Sequence, residues 1–143
     1  MSGIPLAATG CASLAPAGQP AARPLIVVIE DDYRSSMALT MLIDDWGYSC
    51  IAARSCREAV QTLGTRLTKV CGIITDIEIN GEMRGIRDAL ALAASIGHPV
   101  PTIVTTGHTE LAWHSSPFPI VGKPFDPDIL HQWLIHNLGP AVG

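Results

Sequence analysis

Positive charge is scarce in this chain: nine lysines and arginines stand against thirteen aspartates and glutamates, a formal charge of −4. Binding a nucleic acid needs a basic face to neutralise phosphates, and none is visible, so nucleic acid is not an expected partner. Apolar runs are short as well. The stretch Leu25 to Ile29 falls far below the roughly 20 residues that span a bilayer, so no membrane segment is expected. A secretory signal is missing, because the first 22 residues carry no Lys or Arg and Pro5, Pro16 and Pro20 interrupt their apolar stretches. The four cysteines, Cys11, Cys50, Cys56 and Cys71, form no CxxC pair. Neither a zinc site nor a disulfide framework is suggested, and the thiols fit a reducing cytoplasm.

With 143 residues, 48% of them hydrophobic, the chain can build one domain around a core. Residues 1–23 are rich in Ala, Pro and Gly without a sustained period and read as a disordered tail, which leaves residues 24–140 as the domain. From Pro24 onward, strand-like and helix-like patterns alternate. Leu25 to Ile29 is a β-branched run of the kind buried on both faces of a parallel sheet. Leu39, Leu42, Ile43 and Trp46 then make a helical stripe. Tyr48 to Ala52 is a second strand, and Ser55 and Glu58 form a capping box before a helix using Ala59, Val60, Leu63 and Leu67. Val70 to Thr75 is a third strand, followed by a helix with Ile86, Ala89, Leu90 and Ala93 on its stripe. Pro101 to Thr106 and Pro119 to Val121 are the fourth and fifth strands, separated by a stretch, Thr109 to Ser116, with room for only a short helix. Asp126-Pro127 starts a last helix whose buried face is Ile129, Leu130, Trp133, Leu134 and Leu138. Five strands alternating with helices imply a doubly wound parallel α/β sheet.

Sheets of this kind bind ligands at the carboxyl ends of their strands, where the strand order reverses. The first strand ends in Glu30-Asp31-Asp32 and the third in Asp76. The fourth ends in Thr105-Thr106-Gly107, and the fifth is followed by Gly122-Lys123-Pro124-Phe125. Crowded carboxylates beside one ammonium repel each other, and a divalent cation relieves the repulsion; hard oxygen donors in this number favour Mg²⁺. A carboxylate beside such a cation can attack a phosphoryl group, while the cation and a lysine neutralise the phosphoryl oxygens. Taken singly, each piece has a plain explanation: a helix N-terminal charge cluster, a loop acid, a strand-end threonine, a solvated lysine. Only their convergence from four strand ends points to chemistry.

The motifs Ile26-Val-Val-Ile-Glu-Asp-Asp32, Ile73-Ile-Thr-Asp76, Pro101-Thr-Ile-Val-Thr-Thr-Gly-His108 and Gly122-Lys-Pro-Phe125 resemble those of response-regulator receiver domains of two-component signalling. The resemblance spans residues 24–138 and implies a flavodoxin-like, doubly wound, five-stranded parallel sheet. It makes Asp76 the phosphoacceptor, Asp31 a direct Mg²⁺ ligand and Glu30 an indirect one. Glu78 would offer its backbone carbonyl to the metal, Thr106 would sense the phosphoryl group, and Lys123 would pair with a phosphoryl oxygen ahead of a cis Pro124. The implied function is a phosphorylation-dependent cytoplasmic switch rather than an enzyme with an external substrate. Its donor would be a histidine kinase or a histidine phosphotransfer protein. With no room after Leu138 for an output domain, output would go through an unidentified downstream protein or a homodimer. Two alternatives are a receiver-like interaction module that takes no phosphate and a small phosphatase using Asp76 and Glu78.

Three departures from the family pattern stand out. The loop Ile-Glu-Ile-Asn-Gly-Glu-Met-Arg-Gly85 after Asp76 lacks the usual Pro and carries one extra residue. The segment between Thr106 and Lys123 is short, so the fourth helix, between strands four and five, is expected to be short or irregular. Ile120 replaces an aromatic that commonly reports phosphorylation. The five histidines are expected in surface or supporting roles, Trp46 and Trp133 in the core, and Trp113 near the site as a fluorescence probe.

Overall fold

Alternation along the strands decides which helices cover which face of the sheet. The computed structural model describes residues 23–107 and 116–140. The expectations for Cys11, the tail over 1–22, His108, Trp113, His114 and the fourth-helix segment up to residue 115 lie outside these. The strands are β1 (Leu25–Ile29), β2 (Ser49–Ala53), β3 (Val70–Asp76), β4 (Thr102–Thr106) and β5 (Ile120–Gly122). All pair in parallel in the order β2-β1-β3-β4-β5. The helices among the described residues are α1 (Tyr33–Asp45), α2 (Cys56–Leu63), α3 (Gly85–Ile96) and α4 (Pro127–Leu138), and a 3-10 helix, Gly64–Lys69, follows α2. This is the doubly wound parallel sheet expected from the alternation.

Side chains alternate across a strand, so Val27 and Ile29 face one way and Ile26 and Val28 the other. The first pair packs with Ala59 and Leu63 of α2, Leu92 and Ile96 of α3, and Ile73 of β3. The second packs with Ile43 of α1, Leu130 and Leu134 of α4, Ile74 and Ile103. Two apolar layers thus clamp the sheet, and each fully buried aliphatic side chain contributes roughly 1.5–3 kcal/mol. Tyr48 belongs to this second layer, just before β2 begins at Ser49. Its ring is fully buried and its hydroxyl donates to the Gly139 carbonyl at 3.0 Å.

Three details of the helical stripes differ from expectation. Leu90 on α3 and Ile129 on α4 are 48% and 54% exposed. The sheet-facing residues of α3 are Ala89, Leu92 and Ile96, which rotates the stripe away from Leu90. Gly85, tightly seated against β3, lies on this same stripe. On α4, Leu130 and Leu134 take the inward positions. Leu67 packs against the first layer from the 3-10 helix, because α2 has already ended at Gly64.

Strand register sets up the site. Ile29 pairs with Thr75, Asp76 with Thr105, and Thr106 with Gly122. The residues one step beyond Ile29, at Asp76 and beyond Gly122 therefore meet along one carboxyl edge. The ladder continues there through Glu30 N–H to the Ala53 carbonyl (2.9 Å), Ile77 N–H to the Thr105 carbonyl (2.8 Å) and Lys123 N–H to the Thr106 carbonyl (2.6 Å).

Candidate functional site

The order reversal falls at β1 and β3, where adjacent strands lead away in opposite directions. Ligands of open α/β sheets bind outside the strand ends at such a point. Oxygens of Glu30, Asp31 and Asp76, one from each residue, lie within 4.8 Å of one another. Lys123 reaches in from the far side of the sheet. Its ammonium donates to Glu30 Oε1 at 2.9 Å and to Asp76 Oδ2 at 3.1 Å. Four of the side chains singled out by sequence thus converge on one point.

Electrostatics explains the arrangement. Three carboxylates face one ammonium, so the cluster keeps an excess of negative charge. Glu30, only 6% exposed, has its carboxyl pushed above the usual range by burial, and the neighbouring Asp76 charge adds to this. Hydrogen bonds from Lys123 and from the Asp32 N–H pull the other way and do not overcome it. For Lys123, burial works against the charged form, but the bond to Glu30 and the charge of Asp76 outweigh it, and its ammonium is held above the ordinary lysine value. The lysine therefore stays charged.

The other named residues divide. Glu78 lies beside the cluster, its N–H donating to Asp76 Oδ1 at 3.2 Å. Thr106 ends β4 almost fully buried, tied through its carbonyl to Lys123. The Lys123–Pro124 peptide is cis, as the resemblance implied. Asp32 turns away from its two acidic neighbours and caps α1. Its Oδ2 accepts from the Ser35 N–H at 2.9 Å and the Ser35 hydroxyl at 2.7 Å, which hold its carboxyl below the usual range. The plain explanation of the acidic triplet, a helix N-terminal charge, holds for Asp32 alone.

Two residues were not singled out by sequence reasoning. The Asn80 backbone N–H donates to Asp31 Oδ2 at 2.8 Å, and Gly85 seats α3 directly against the backbone of Asp76. The Asn-Gly pair is a hairpin signal in its own right, but nothing local tells which carboxylate its N–H will meet. Of the histidines, His98 bonds the Thr68 carbonyl and His131 stacks on Trp46 with ring centroids 4.3 Å apart. Trp46 and Trp133 pack, partly buried, against the second apolar layer, as expected.

The carboxylates of Glu30, Asp31 and Asp76 form a cluster of hard-oxygen donors that could hold a metal ion. Asp31 and Asp76, with the Glu78 carbonyl, would hold it, and Glu30 would act from behind while bonded to Lys123.

No protein-family profile matches the chain, and no curated protein sequence does. Its fold has solved counterparts. A response regulator receiver domain protein from Clostridium thermocellum superposes with a TM-score of 0.67 at 20% identity, over 80% of this chain and 94% of its own. The receiver domain of the Erythrobacter litoralis PhyR response regulator gives 0.68 at 22% identity, over 82% and 91%. A response regulator receiver protein from Pseudoalteromonas atlantica gives 0.66 at 18% identity, over 80% and 97%. The chain has the receiver-domain fold.

Proposed function

We propose that this chain is a phosphorylation switch that accepts a phosphoryl group on Asp76 with the help of Mg²⁺. The observation carrying the reading is the Lys123 ammonium bridging Glu30 and Asp76 beside Asp31, four side chains from three separate strand ends. A fold alone does not specify chemistry, but this constellation is what phosphoryl transfer to a carboxylate requires.

In the transfer, an Asp76 oxygen attacks phosphorus in line with the leaving group. A new O–P bond forms as the P–N bond of a phosphohistidine, or the P–O bond of a small acyl phosphate, breaks. The electron pair leaves with the donor: a released imidazole nitrogen can take up a proton, and a released carboxylate departs as the anion. Bound Mg²⁺ would neutralise charge on the phosphoryl oxygens as they turn planar. Lys123, already charged and within reach of Asp76, would shift its donors from the carboxylate to a phosphoryl oxygen. Glu30 would keep that ammonium aimed at the site. Thr106, joined to Lys123 by a backbone hydrogen bond, would carry the change into β4 and β5, and the surface around their carboxyl ends would select a partner.

The donor would be a histidine kinase or a histidine phosphotransfer protein and the output a protein contact, in a reducing cytoplasm. No described helix is long and apolar enough to cross a membrane. The only catalysis would be the chain's own phosphorylation and dephosphorylation.

Acetyl phosphate with Mg²⁺ should add one phosphoryl group to the wild type, read by intact-protein mass spectrometry, and none to Asp76→Asn. Labelling that persists in Asp76→Asn would refute Asp76 as acceptor. A wild type that stays unlabelled would favour an interaction module, and steady turnover of p-nitrophenyl phosphate would favour a phosphatase.

A further inference from the structure

The loop from Ile77 to Gly85 carries one of the three departures from the family pattern, and its backbone closes on itself. Ile79 and Glu82 exchange both of their backbone hydrogen bonds, at 2.8 and 3.0 Å. Between them Asn80 and Gly81 take φ values of 54° and 79°. Two consecutive left-handed residues make the tight turn that Asn-Gly favours. Ile77 and Ile79 anchor the loop in the core at 1% and 0% exposure, and the Gly85 N–H closes its base on the Ile77 carbonyl at 2.9 Å. The turn is therefore a fixed object, and one of its peptide groups faces the acid cluster. The Asn80 N–H donates to Asp31 Oδ2 at 2.8 Å, across 49 residues of sequence.

We infer that the Asn80-Gly81 turn is a positioning element for the cation site: it ties down Oδ2 of Asp31 and leaves Oδ1 free for the metal. The inference rests on the function proposed above. An aspartate free to rotate must be ordered each time a cation binds, and it is repelled by the two carboxylates beside it. A peptide N–H on one oxygen removes the rotation and offsets part of the repulsion. Partners that orient a metal ligand in this way typically change affinity 10- to 100-fold when lost.

The test separates turn from side chain. Asn80→Gly keeps both the peptide N–H and the left-handed backbone, whereas Asn80→Val disfavours that backbone without touching a carboxylate. In calorimetric titration of the full chain with Mg²⁺, Asn80→Gly should bind like the wild type and Asn80→Val about tenfold more weakly. Metal-free thermal midpoints report separately any general loss of stability. A second measurement leaves the loop intact: in amide NMR spectra without metal, Asp31→Ala should shift the Asn80 N–H and speed its exchange with solvent. Equal Mg²⁺ affinity in Asn80→Val, or an Asn80 amide that Asp31→Ala leaves unmoved, overturns the inference. Either result alongside normal labelling of Asp76 leaves the switch standing, whereas a wild type that binds no Mg²⁺ and takes no phosphate brings down both.

Discussion

A methyl group on Gly85 would overlap the Asp76 carbonyl oxygen and sit 2.7 Å from the Ile77 Cα, backbone atoms that cannot swing aside. Any other residue there would push α3 off β3 and drag the Asp76 carboxylate with it. Gly85→Ala should cost about 3 kcal/mol in urea unfolding, at the upper end for overpacking, and should slow labelling of Asp76. A change within about 0.5 kcal/mol, the range of neutral surface substitutions, would show that the contact relaxes. Close approaches of this kind are poorly legible in sequence. Gly85 reads there only as the end of a loop with an extra residue, whereas Asp76, an ordinary acid when taken singly, stands out once it is set beside the other strand ends. Lys123 was equally legible, through the Lys-Pro pair that follows β5.

The acidic triplet after β1 serves two elements at once. Glu30 and Asp31 belong to the cluster, while Asp32 caps α1 through Ser35. Asp32→Ala should therefore lower the thermal midpoint by a few degrees yet leave phosphate uptake by Asp76 intact. Lost uptake would place Asp32 in the site and contradict its role as a cap. A second cap shows how far local pattern reaches. Ser55 accepts from the Glu58 N–H at 3.1 Å as a capping box requires, but Glu58 returns its bond to the Arg54 N–H at 2.7 Å, one residue earlier than expected. The helix start was legible from side-chain types, and the return bond was not, because it depends on how the chain leaves β2. On α3 the inward stripe runs through Gly85, Ala89, Leu92 and Ile96, which leaves Leu90 outward.

Over the whole molecule, the carboxyl edge concentrates negative charge that the rest of the fold must tolerate. A cation that binds only the folded chain stabilises it by mass action, by about 3 kcal/mol at a free concentration a hundred times its dissociation constant. Saturating Mg²⁺ should raise the thermal midpoint by several degrees in the wild type and much less in Asp31→Asn. Equal shifts in both would mean that the ion acts elsewhere on the surface. The same edge links distant parts of the chain: Lys123 reaches Glu30 across 93 residues and Asp76 across 47. Phosphorylation of Asp76 would break into that bridge, so a local charge change would be felt by both β1 and β5.

Periodicity and composition alone determined the alternation of strands and helices, the parallel doubly wound sheet, and the arrival of acids, threonine and lysine at one edge. Those features follow from which residue types recur every two or every three to four positions, and short-range steric and solvation preferences enforce them. Tertiary structure alone decided which atoms meet: Lys123 on two carboxylates, Asp32 turned to its helix, Asp31 held by the Asn80 peptide, and Gly85 against Asp76. These contacts join residues far apart in the chain, and they exist only once two apolar layers have clamped the sheet and set its register.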